Sequence, residues 1–178
     1  MSECKRTKWT VVTGAPSSGK TSILRALALQ QYNIRAETGT LYIKAELTAG
    51  KTLEQICSDQ AALQRAIIDT SVRMDKELDP EERYFLDRGV PDPLAYCKLY
   101  DIDNAYFLEQ ARQWKYQRIF LLDRLPFKPN HVRIENDATA AIIDRYLEEV
   151  YRDLGYDVIR VPVMSIDQRM DFLLSYLP

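Results

Sequence analysis

The sequence predicts an α/β fold in three layers, a five-stranded parallel sheet with helices on both faces, and three observations carry that prediction. Short apolar or β-branched runs alternate with stretches of helical spacing almost from end to end. The strand runs are apolar at consecutive positions, as strands covered on both faces must be. Each run stops at a glycine, an acidic residue or a proline.

The elements follow in order. Trp9–Thr13 is a β-branched run closed by Gly14, and Ile23, Leu24, Leu27 and Ala28 then recur at helical spacing. Residues 33–36 form a second strand ended by Glu37. Between Thr52 and Leu78 the positions Leu63, Ile67, Met74 and Leu78 fit one helix face, and Asp79-Pro80 ends that helix. Tyr84-Phe-Leu86 is a third strand running into Asp87-Arg88-Gly89, followed by short helices over 91–100 and 104–114. Ile119-Phe-Leu-Leu122 is the fourth strand. Residues 124–136, with Pro126, Pro129 and mixed charge, have no periodicity and read as a lid-like loop. Asp137 caps a helix reaching about residue 154, residues 157–161 form the fifth strand, and Ser165 caps a final helix.

A length of 178 residues suits one domain spanning residues 1–178, since about 100–200 residues per domain is usual. Lys and Arg number 24 against 26 Asp and Glu, so no basic field exists to hold a nucleic-acid backbone. The three cysteines are scattered and there is one histidine, which argues against a disulfide framework or a zinc site. The N-terminus is polar and no stretch approaches about 18 apolar residues, so a cytoplasmic chain without signal peptide or membrane span is expected.

In a parallel sheet of this kind the ligand crevice lies at the carboxyl ends of the strands. Residues 14–21, Gly14-Ala15-Pro16-Ser17-Ser18-Gly19-Lys20-Thr21, match GxxxxGK[ST] in full, between a predicted strand and a predicted helix. In such a phosphate loop the backbone N–H groups form an anion nest and the following helix adds its positive end. The expected ligands are ATP or GTP with Mg²⁺: Lys20 reaches the β and γ phosphates, Thr21 ligates the metal, and Ser22 lies in the first helical turn. No guanine-reading NKxD motif is present, which leans toward ATP.

The other strand ends supply candidates for the chemistry. Asp87 would hold the Mg²⁺ shell or accept a hydroxyl proton, and Arg88 would clamp a phosphate or carboxylate of the second substrate. Glu37 would act as general base or as acceptor for a substrate hydroxyl. Asp123 is either a further metal-shell group or a loop starter. Arg124, Lys128, His131 and Arg133 lie in the loop that could close over the phosphates. Tyr96, Tyr100, Tyr106 and Phe107 read as helix packing, and Arg65 and Arg73 as a solvated face.

The phosphate loop, the segment Asp87-Arg88-Gly89-Val-Pro91-Asp92 running on to Ala95-Tyr96, Leu122-Asp-Arg-Leu-Pro126-Phe127, Tyr151-Arg-Asp-Leu-Gly155-Tyr156 and Val161-Pro-Val-Met-Ser165-Ile-Asp-Gln-Arg169 occur in that order. Together they resemble the AAA-family ATPase domain of NadR-type ribosylnicotinamide kinases and of the TRPL-translocation-defect GTP-binding proteins. The resemblance covers essentially residues 9–175 and implies a P-loop NTPase fold of kinase-like type. It implies that Asp87 and Arg88 contact magnesium or substrate, that Glu37 serves as base, and that Arg133, then Arg124, belongs to a basic lid. It also implies that adenine rests near residues 162–165. A stand-alone domain is expected, without the adenylyltransferase and DNA-binding modules of full NadR proteins, the lipid-binding domain of the animal proteins or a helical domain with sensor arginines.

Two readings follow. One is a small-molecule kinase, or simple ATPase, acting on a nucleoside- or ribosyl-type acceptor, as monomer or dimer. The alternative is a slowly hydrolysing switch that signals to a protein partner by ordering residues 38–52 and 124–136 around the γ-phosphate.

Overall fold

The computed structural model describes residues 4–126 and 137–177. In chain order its elements begin with β1 (Lys5–Arg6), β2 (Thr10–Thr13), α1 (Lys20–Leu29), β3 (Asn33–Arg35) and α2 (Thr38–Thr48). Next come α3 (Leu53–Cys57), α4 (Gln60–Lys76), β4 (Tyr84–Asp87), α5 (Asp92–Tyr100) and α6 (Ala105–Ala111). The rest are β5 (Trp114–Lys115), β6 (Arg118–Leu122), α7 (Asp137–Asp153), β7 (Val158–Val161) and α8 (Ile166–Ser175). Five strands form a parallel sheet in the order β3-β4-β2-β6-β7, and β1 and β5 pair beside it.

The strand sequences explain why both faces are covered. Side chains alternate along a strand, so a central strand between helical layers needs apolar residues at every position. In β2, Val11 packs with α4, α5 and α7 on one face, while Val12 packs with α1 and α8 on the other. In β6 the same split sends Ile119 and Leu121 one way and Phe120 and Leu122 the other. Leu121 and Phe120 are fully buried, and each such side chain contributes about 1.5–3 kcal/mol. This is the three-layer α/β arrangement that the alternating pattern predicts.

Register sets the floor of the crevice. Val12 of β2 lies opposite Asp87 on one side and Phe120 on the other. The last residue of β4 therefore stands beside the strand that feeds residues 14–19.

The structure corrects three local expectations. The helix expected from Thr52 to Leu78 is two helices, because Thr52 and Gln55 form a capping box over α3 and Asp59 accepts from the Ala62 amide at 2.9 Å to start α4. Much of the 38–52 run is the helix α2, whose Thr38 is buried and bonds Ser71 at 2.7 Å. The helix expected over 104–114 ends at Ala111, and Trp114 instead pairs with Lys5 in the small sheet. Of the lid-like loop, residues 127–136, with Lys128, His131 and Arg133, lie outside the described residues. No helix among the described residues is long and apolar enough to cross a membrane.

Candidate active site

The loop that follows β2 turns through Ser17 (φ 63°) and Gly19 (φ 91°), the second a left-handed conformation that glycine adopts at no steric cost. Gly19 is also the N-cap of α1, and the first turn of that helix carries no acidic residue. Its unpaired N–H groups and positive end therefore face the crevice without a competing carboxylate.

Lys20, the first helical residue, is buried. Its Nζ donates to the Gly14 carbonyl (2.8 Å), the Ala15 carbonyl (3.1 Å) and Ser18 Oγ (3.3 Å). Burial pushes this ammonium down to about 7, and the Arg88 guanidinium adds to the effect against the pull of Asp87 and Glu37.

Asp87 ends β4 beside the loop and is itself buried, and its Oδ1 has no hydrogen-bond partner. Burial, and then the neighbouring Glu37 carboxylate, push Asp87 up to about 6. A buried carboxylate oxygen without a partner is costly in a finished fold and marks a place for a cation or a donor.

Arg88 holds a left-handed backbone (φ 65°) although it is not glycine. Its amide donates to the Val12 carbonyl at 3.1 Å, and its guanidinium spans two carboxylates: Nε to Glu37 Oε1 at 2.7 Å and Nη1 to Asp92 Oδ2 at 3.0 Å. Glu37 also accepts from the Thr40 hydroxyl at 2.7 Å. Burial alone would raise Glu37, but the Arg88 charge, with help from Thr40, holds the carboxyl down at about 2.

Asp92 is the hub behind this pair. Its carboxylate accepts from Thr13 Oγ1 (2.6 Å), Tyr151 Oη (2.6 Å), the Gly89 amide (3.1 Å) and Arg88. Glycine is required at 89 by a close approach, because a Cβ there would meet Tyr151 Oη at 2.5 Å.

Two further arginines brace the floor. Arg35, paired with Asp75 at 2.9 Å in the interior, donates to the carbonyls of Asp87 (3.2 Å) and Arg88 (2.9 Å). Arg169 donates to the carbonyls of Ser18 (2.7 Å), Pro162 (2.9 Å) and Asp123 (3.2 Å), joining the loop to the ends of β6 and β7.

These groups open on a cavity of about 430 Å³ whose walls include Ser17, Lys20, Thr21, Glu37 and Arg88. Sequence reasoning picks out those five residues, and the fold brings them to one cavity. Asp87 stands beside the loop without being one of the cavity's walls, while two candidates are engaged elsewhere: the Asp123 carboxylate pairs with Arg160 at 3.2 Å, and Arg124 pairs with Asp137. Tyr96 and Tyr100, expected as helix packing, line the cavity, whereas Phe107 is buried in the core and Tyr106 lies under Arg65. Among the described residues no group of three or more His, Cys, Asp or Glu side chains could hold a metal by itself.

Sequence reasoning misses Arg35, Asp75, Tyr151 and Arg169 as parts of the site, and it gives Asp92 no role. Asp92 carries a signal in the Asp-Arg-Gly-x-Pro-Asp segment, five positions after Asp87. Tyr151 and Arg169 stand in segments that carry the family resemblance, with no role attached to either, and Arg35 and Asp75 carry no signal because they pair across 40 residues.

The sequence matches a family model described as AAA domain over residues 9–169. Comparison with curated proteins gives no match. Among solved structures, deoxyadenosine kinase from M. mycoides superposes with a TM-score of 0.68 at 14% identity, covering 94% of this chain and 97% of that one. The NadR protein in complex with NAD and AMP-PNP gives 0.72 at 17% identity, covering 96% of this chain and 49% of NadR, so the chain spans about half of NadR's length. Thymidylate kinase from Candida albicans gives 0.68 at 16% identity, covering 96% and 90%. At these identities the likeness establishes the fold.

Proposed function

The chain belongs to the AAA domain family, and we propose that it is a P-loop kinase that moves the γ-phosphoryl group of ATP onto a hydroxyl of a nucleoside- or ribosyl-type small molecule. One observation carries this reading: the phosphate loop and the Glu37–Arg88 pair are walls of the same cavity of about 430 Å³. A phosphoryl donor and an acceptor of moderate size would meet there. The kinases whose fold it shares make the same reading the natural one for the family member at hand.

Catalysis in such a site is positioning and charge neutralisation. Residues 14–19 and the α1 N-terminus would hold the phosphates, with Lys20 drawn from the loop carbonyls to the γ-phosphoryl oxygens. Arg124 and Arg133 would belong to the cationic lid. Arg88 and Glu37 would place the acceptor hydroxyl. The acceptor oxygen bonds to phosphorus as the bond to the bridging oxygen breaks, ADP leaves, and the hydroxyl proton passes to Glu37 or Asp87.

Mg²⁺ fits the residues present. The buried, unpartnered Asp87 Oδ1 and the Thr21 hydroxyl would hold it, completed by phosphate oxygens and water because no cluster among the described residues suffices alone. Bound there, the ion would supply neutralisation of phosphate charge. The switch reading is not favoured: of the two runs on which it rests, 38–52 and 124–136, much of the first is the α2 helix.

The test is ADP release from ATP and Mg²⁺ against a panel of nucleosides, ribosylated heterocycles and nucleoside monophosphates, with mass spectrometry of the products. A phosphorylated product that appears with one acceptor and vanishes in Lys20→Ala is the expected result. Slow hydrolysis indifferent to every acceptor would overturn the kinase reading.

A further inference from the structure

Arg169, in the first turn of α8, is a buried cation whose hydrogen-bond partners are neutral. Its guanidinium donates to the carbonyls of Ser18 (2.7 Å), Pro162 (2.9 Å) and Asp123 (3.2 Å). The Asp123 carboxylate pairs with Arg160 instead, and no carboxylate among the described residues lies within ion-pair distance of Arg169. Arg35 shows the contrast, since this other buried arginine faces Asp75 at 2.9 Å. Carbonyls satisfy the donors of Arg169 but do not neutralise its charge, and a buried charge without an opposite one is costly. Burial lowers the guanidinium accordingly, and the Asp123 charge offsets only part of that.

The place of this cation points to what would balance it. A Cβ at Gly19 would meet Arg169 Nη1 at 3.3 Å, so the guanidinium stands against the N-cap of α1. The positive end of a helix repels a cation and favours an anion. Lys20 brings a second buried cation to the same loop, held by the Gly14 and Ala15 carbonyls and by Ser18 Oγ. The bond to Ser18 also sets a peptide plane. In a trans peptide the carbonyl and the following N–H point to opposite sides. Drawing the Ser18 carbonyl onto Arg169 therefore turns the Gly19 N–H away from it, and Gly19 is a wall of the cavity that Lys20 and Thr21 share.

We infer that Arg169 is a positioning residue for the phosphate chain, lending its charge from behind the loop and fixing the Ser18–Gly19 peptide, with the bound polyphosphate as its missing counter-ion. This deepens the reading of residues 14–19 as the phosphate site and rests on it. Part of the affinity for phosphate is thereby carried by a residue 151 positions from the loop it serves.

The experiment measures binding by calorimetry with Mg²⁺ for three probes: ATP, AMP and inorganic tripolyphosphate, which has no base. The proteins are wild type, Arg169→Met, Arg169→Gln and Arg169→Lys, each checked for folding by circular dichroism without ligand. The two neutral variants should bind ATP and tripolyphosphate about tenfold or more weaker, and AMP less than about threefold weaker. Arg169→Lys, which keeps the charge, should return both polyphosphates to within about threefold of wild type. An equal loss for all three probes makes Arg169 a general brace and overturns the inference. A loss confined to ATP and AMP does the same, because it places the effect at the Pro162 end. So do a lysine variant as weak as the methionine one, and neutral variants that both fail to fold. Wild type that binds neither ATP nor tripolyphosphate removes the phosphate site itself. Product formation with the acceptor panel judges the kinase reading separately: polyphosphate binding that follows the charge at 169 without any transfer leaves Arg169 its role and removes the kinase.

Discussion

The guanidinium of Arg35 lies 2.9 Å from the carbonyl oxygen of Arg88, so one buried arginine fixes the backbone of another. The left-handed φ of Arg88 costs on the order of 1–3 kcal/mol. Arg35, anchored by Asp75, holds it there, and the Arg88 side chain is thereby aimed at Glu37 and Asp92.

Asp75→Ala leaves Arg35 charged and unpaired in the interior and is expected to cost about 3–5 kcal/mol in chemical denaturation. A double change, Arg35→Met with Asp75→Leu, should recover most of that loss while the acceptor KM stays raised, because the carbonyls of Asp87 and Arg88 have lost their donor. Full recovery of acceptor binding in the double variant would show that Arg35 acts on stability alone.

Glu37→Gln keeps the shape of the site but leaves Arg88 with only Asp92 as a charge partner. Phosphoryl transfer should fall about 10²–10⁴-fold, with ATP affinity little changed. The measurement is a single-turnover rate beside a nucleotide titration, and retention of full transfer removes Glu37 from the mechanism.

Proton linkage follows from the depressed Lys20. Its value near 7 in the free protein rises when a triphosphate sits beside it. The raised group gives affinity that is fully present below pH 7 and lost as pH climbs through the bound-state value, with a proton taken up in between. Calorimetry at pH 8 in buffers of different ionisation enthalpy should register uptake of close to one proton, and none in Lys20→Met. The Asp87 carboxylate works in the opposite sense: with its value near 6, metal-dependent binding should fade as pH drops below 6.

Gly89→Ala drives a methyl group into Tyr151 Oη, with Val11 and Pro91 also in contact. The expected cost is about 1–3 kcal/mol. Adding Tyr151→Phe removes the clashing oxygen, so the double variant should be more stable than the two single losses sum to. Strict additivity in the cycle would place the strain elsewhere.

The legible parts of this molecule are those written in local spacing. Residues 14–21 and 87–92 announce themselves by residue type and order, and the strands by apolar runs that both faces of a sheet demand. Helix α2 escapes notice because Thr-Gly-Thr and Lys-Ala-Glu interrupt any apolar face. The break between α3 and α4 is hidden because the apolar spacing continues in phase, and only the caps at Thr52 and Asp59 reveal it. Nothing in the local sequence marks Arg35. What makes it a brace is the strand order, which brings β3 beside β4 and so places Arg35 against the carbonyls of Asp87 and Arg88.

Arg169 joins Ser18 to its own helix across 151 positions of chain. A contact that remote closes slowly and late, since the whole intervening sheet must be in register before α8 can dock. The nucleotide loop therefore has its full set of contacts only once both ends of the chain are in place. A triphosphate bound there selects for chains that have finished folding and shifts the equilibrium toward them.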